Sequence, residues 1–174
     1  MRKHLSTILL VVILITGLSL LLYPTVSDAW NASLQTGKID AYTQNVADLP
    51  NEAYQDMLQK ARAYNARLYE EKHILALSDS ERPEYESLLA VGADGAMGYI
   101  EIPKIRCTLP IYHGTNEAVL QSAIGHIEGS SLPVGGENTH CVLSGHRGLP
   151  SAKLFSNLDQ MEVGDTFQLH ILDE

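Results

Sequence analysis

The stretch YIEIPKIRCTLPIYHGT, residues 99–115, decides how this chain folds. Apolar side chains return at Ile100, Ile102, Ile105, Cys107, Leu109 and Ile111, with polar ones between them. Successive side chains of an extended backbone point to opposite faces, so this alternation reads as strand. Pro103 and Pro110 cannot donate to a ladder and keep the segment extended. A strand-rich domain is therefore expected from about Met97 onward.

Toward the C-terminus the texture stays that of a β domain. Glu117 to Ala123 predicts a short helix, and Leu132-Pro-Val-Gly-Gly-Glu-Asn138 is turn chemistry, with Gly135 and Gly136 free to take positive φ. Thr139 to Leu143 reads as a strand running into Gly145-His146. Leu154 to Met161 predicts a helical turn or two, and Val163-Gly164-Asp165 a turn before a last strand, Thr166 to Leu172. A final strand with nothing after it looks like a barrel cut open, because unpaired edge N–H and C=O groups are a liability in a finished sheet.

Toward the N-terminus the chain becomes helical. Glu52 to Ile74 carries Tyr54, Leu58, Ala61 and Leu68 at helical spacing and predicts an amphipathic helix. The segment 77–98 reads as a connector with a short helical piece at Glu84 to Leu89, and Ser27 to Asn51 as a polar stretch. Leu5 to Leu22, LSTILLVVILITGLSLLL, contains no charge. As a helix it spans about 27 Å, close to the ~30 Å hydrocarbon core of a bilayer. Arg2 and Lys3 precede it, so the remainder is expected outside the cytoplasm. Ser27-Asp28-Ala29 fits a signal-peptide cleavage site, but the apolar run is longer than a usual signal core, which favours an uncleaved anchor. Both readings export the domain. The expected layout is a cytoplasmic stub and anchor over 1–23, a helical arm and connector over 24–96, and the β domain over 97–174.

A formal charge of −9 over 174 residues, with no basic stripe, argues against a nucleic-acid partner. Two cysteines exclude a disulfide-dense scaffold, and whether Cys107 and Cys141 pair is left open. Four of the seven histidines fall between Ile111 and His146, without the tight spacing of a zinc motif, so no metal and no cofactor are expected. His73 reads as a surface residue, His126 and His140 as structural ones. His146 differs because a strand end between Gly145 and Arg147 can present it, and imidazole moves protons near neutrality. Its natural partner would be a cysteine thiolate. Cys141 lies five residues away, about 16 Å along a straight strand and on the opposite face. Cys107 alternates with Ile105 and Leu109 and reads as core.

MGYIEIPKI (97–105), LPIYHGT (109–115), IGHIEGSSLPVGG (124–136) and LSGHRGLPSAKLFSNLD (143–159) resemble the sortases, and in particular their class C, pilin-polymerising branch. The resemblance implies an exported, membrane-anchored cysteine transpeptidase of Gram-positive bacteria on a β-barrel, incomplete in these residues, behind a transmembrane helix. It implies cleavage of a Leu-Pro-x-Thr-Gly-like sorting signal after Thr, a thioester, and transfer to an amine, in class C a lysine of the next pilin. The family's catalytic histidine falls on His146. The family's Thr-Leu-x-Thr-Cys motif and following arginine do not occur here, nor does a second apolar segment, so the chain as it stands is expected to be an inactive N-terminal part. Substrate-binding residues are not assigned. Class C members often carry a lid with Asp-Pro-aromatic; the matching region, Leu77 to Tyr85, lacks that pair, leaving Asp79 and Tyr85 as its candidate remnants. The competing expectation is a non-catalytic, membrane-tethered surface binding protein.

Overall fold

The computed structural model describes residues 2–71 and 77–172. Helix α1 runs Arg2–Ala47 and α2 Asn51–Glu71, followed by the short α3, Arg82–Ser87. The sheet strands are β1 Gly98–Ile102, β2 Cys107–His113, β3 Ile124–His126, β4 Leu143–Ser144 and β5 Gln168–His170, with α4, Glu117–Leu120, between β2 and β3. Their order is β4-β3-β2-β1-β5. β2 and β3 are parallel and every other pair is antiparallel.

The alternation over 99–115 becomes the central hairpin. Tyr99 pairs Pro110 and Ile102 pairs Cys107, while Pro103 to Ile105 form a 3-10 turn closed by Arg106 in the left-handed region. Ile100, Ile102, Leu109 and Ile111 bury their side chains in one core cluster. The chain then crosses to a parallel neighbour through α4. Asn116 starts that helix by accepting a bond from the Val119 N–H at 3.1 Å, as a capping side chain should.

Three expectations change. The segment 27–47 is not a separate polar stretch but the continuation of α1, which passes Pro24 unbroken. Its polar residues bind the domain at helical spacing. Asn31 Nδ2 donates to the Ser151 carbonyl at 2.7 Å, Gln35 Nε2 to Ser122 O at 2.9 Å, and the Tyr42 hydroxyl to Met97 O at 3.1 Å. The strand expected at 139–143 shrinks to β4, because Ile127 N–H and Ser131 N–H reach over to Val142 O and His140 O without a regular ladder. The last strand is also shorter, holding only Gln168–His170 against β1.

Helix α2 packs through Leu58, Ala61, Tyr64, Asn65 and Leu68. Asn65 is its one buried amide. Its side chain accepts from Leu132 N–H at 2.7 Å and donates to Leu132 O at 3.0 Å, satisfying a loop backbone that has no strand partner. The end expected for this helix at Ile74, like His73, lies outside the described residues.

Candidate active site

His146 follows β4, which pairs with β3 through Gly125↔Ser144 and His126↔Leu143. Gly145 explains how closely the chain runs over the core there. A Cβ at that position would collide with the end of the Ile124 side chain and stand 2.9 Å from the Phe155 ring, so any larger residue would have to push these two side chains aside. The loop beyond is pinned at many points. Phe155 N–H donates to His146 O at 3.1 Å, Gly148 N–H to Ser156 Oγ at 2.9 Å, and Arg147 pairs with Asp159 at 3.2 Å. Asp28 of α1 accepts from Lys153 N–H at 2.9 Å and pairs with its ammonium at 3.1 Å. A half-buried imidazole on a loop held this firmly is oriented in advance. Among the described residues its ring makes no hydrogen bond, which leaves both nitrogens for a reacting partner.

Neither cysteine suits that role. Cys107 sits in the core on β2, its Sγ 3.8 Å from the Leu154 carbonyl, and burial pushes its thiol up to about 11. Cys141 is half-buried, and desolvation likewise raises it to about 11. At neutral pH both are thiols, and the thiol is not the nucleophile. Both are free, so they form no disulfide.

The two lid candidates lie in different surroundings. Asp79 is exposed, 4.0 Å from Arg82. Tyr85 is fully buried. Its hydroxyl lies 2.8 Å from His126 Nδ1 and 3.0 Å from His126 O, and accepts from Gly114 N–H at 3.2 Å. His113 stands edge-on to the Tyr85 ring at 4.8 Å and holds the Leu88 carbonyl through Nε2 at 2.8 Å. This anchoring suits a core residue rather than a movable cover.

His126 completes that cluster. Its Nε2 lies 2.9 Å from the Ser131 carbonyl, which can only accept, so the proton is assigned to Nε2 and Nδ1 accepts from Tyr85. Burial lowers this imidazole to about 4, and lowers His113 as well. His140 contributes its backbone N–H to Ser131 Oγ, with the side chain exposed rather than structural. His170 stacks on Tyr99 at 4.3 Å. Among the described residues no three His, Cys, Asp or Glu side chains converge to hold a metal. The Tyr85–His126 pairing, the Asn65 clamp on Leu132 and the Asp28–Lys153 contact were not singled out from the sequence; each joins residues dozens of positions apart, which no local pattern reveals.

A sortase-domain family model matches residues 100–174. Sortase C1 of Streptococcus agalactiae is 47% identical and superposes with a TM-score of 0.75, covering 79% of this chain and 71% of that one. Sortase C of Clostridium perfringens, solved with the C-terminal cell wall sorting motif, is 40% identical with a TM-score of 0.66, covering 80% and 71%. Sortase D of Bacillus subtilis strain 168 is 40% identical over 74 residues, which make up 42% of this chain but only 34% of that relative.

Proposed function

This chain belongs to the sortase family, and on that premise we propose that it is the histidine-bearing part of a class C-like transpeptidase that joins a Leu-Pro-x-Thr-Gly-like sorting signal to a lysine amine. The substrates are pilins or other surface proteins, and the enzyme acts outside the cell from a single-pass membrane anchor. One helix of the described residues, α1, is long and apolar enough to cross a bilayer. The observation that carries the catalytic reading is the free, firmly presented imidazole of His146.

In this role a thiolate attacks the Thr carbonyl of the signal while His146, protonated, gives its proton to the departing glycine amine. The Thr–Gly bond breaks and a thioester remains. The incoming lysine amine then loses a proton to His146 as it takes the acyl group, and the thiolate is released. Acid–base help of this kind contributes about 10²–10⁴ in rate. The thiols of Cys107 and Cys141 are the wrong partners, so the nucleophile this reading calls for is a cysteine in the family's Thr-Leu-x-Thr-Cys setting, a motif that residues 1–174 do not contain.

Sequencing the gene across and beyond codon 174 tests the reading. An in-frame Thr-Leu-x-Thr-Cys motif and arginine are expected, and the encoded protein should lose about 10²–10⁴ in transpeptidation rate on His146→Ala. Undiminished turnover in His146→Ala would refute the assignment.

A further inference from the structure

The outer half of α1 presents two faces. Ser27, Asp28, Asn31, Gln35 and Tyr42 touch the domain. Tyr23, Val26, Trp30 and Leu34 lie more than half open to solvent, Trp30 at 69% exposure. At 3.6 residues per turn these four fall on one narrow stripe, about a third of a turn from the domain face. Four large apolar side chains in line do not belong in water.

The stripe continues the apolar run of residues 5–22, which is itself open on every side. From Leu5 to Leu34 the helix measures about 45 Å, against ~40–45 Å for a bilayer including its headgroup layers. Tyr and Trp are the side chains that settle at that boundary. Resting on the anchor reading above, we propose that the stripe lies in the outer headgroup layer of the membrane. Because Ser27, Asp28 and Asn31 hold Ser151 and Lys153 at the same height on the helix, the loop after His146 is thereby placed against the membrane surface. The domain does not swing on a tether. Its histidine faces substrates still seated in the same leaflet, and proteins free in solution meet it less readily.

Trp30 is the chain's only tryptophan, so it reports on the stripe directly. The full chain is reconstituted in phosphatidylcholine–phosphatidylglycerol vesicles, and its fluorescence is quenched by brominated lipids or by aqueous iodide. The proposal expects blue-shifted emission, strong quenching by the lipids and several-fold protection from iodide. Leu34→Asp should raise iodide access several-fold, whereas Thr36→Asp, on another face, should not. Flotation of the vesicles separates the two ideas. Protein that floats while Trp30 stays open to iodide overturns the stripe's placement and leaves the anchor standing. Protein that does not float overturns the anchor, and the placement with it. Protection from both quenchers, with cross-linking between chains, overturns it in favour of a second copy.

Discussion

Two histidines of this domain, some twenty residues apart in sequence, sit in opposite environments. His126 is fully buried, both ring nitrogens are engaged, and burial holds it neutral. His146 is half-buried at the end of the neighbouring strand, with no hydrogen bond to its ring among the described residues. The antiparallel register sets them at opposite ends of the β3–β4 ladder, since His126 pairs with Leu143 while the chain runs on past Ser144 to His146. The contrast teaches how one residue type is locked into the structure in one place and, on the function proposed above, left open for chemistry in another. Complete pairing and burial fix a proton, while presentation without a partner leaves it to be moved.

Removing the buried ring should have the largest effect. His126→Ala leaves a cavity beside Tyr85 and removes the partner of its hydroxyl, a loss of about 3–5 kcal/mol by analogy with other large-to-small core changes. Urea unfolding measures it, and a loss below about 1 kcal/mol would erase the contrast. Acid comes next. The folded state holds His126 at about 4 against the ordinary 6.5, so below pH 6.5 the unfolded chain takes up a proton that the native one refuses. Stability should be unaffected by this group above pH 6.5 and fall as pH drops toward 4. The loss from His126 is on the order of 3 kcal/mol. Tyr85→Phe should cost about 1–3 kcal/mol, because Gly114 N–H and His126 Nδ1 lose their shared partner. His146→Ala should shift stability by no more than about 0.5 kcal/mol. A destabilisation as large as that of His126→Ala would show that His146 is structural after all.

The same contrast marks what the sequence revealed. The alternation around Ile100 to Ile111 announced β1 and β2, and the motif words around His146 announced the family, because both are local signals. Tyr85 shows the limit. It sits in a polar connector, and its burial depends on His126 and Gly114, which arrive from β3 and from the end of β2, 41 and 29 positions later. The outer half of α1 was missed for a related reason: its regularity lies in polar residues, Asp28, Asn31 and Gln35, whose partners are on distant loops. A search for apolar periodicity passes over a helix that docks through amides and carboxylates.

The claim that His146 is the chemical histidine, and that neither thiol of these residues is its partner, has a direct measurement. Residues 1–174 in detergent are incubated with a Leu-Pro-x-Thr-Gly-type peptide, with and without a lysine amine, and the intact mass is read for a trapped acyl group. The account predicts no adduct on Cys107 or Cys141 and no transfer to the amine. A thioester at either cysteine that vanishes in His146→Ala would contradict it and restore that cysteine as the nucleophile.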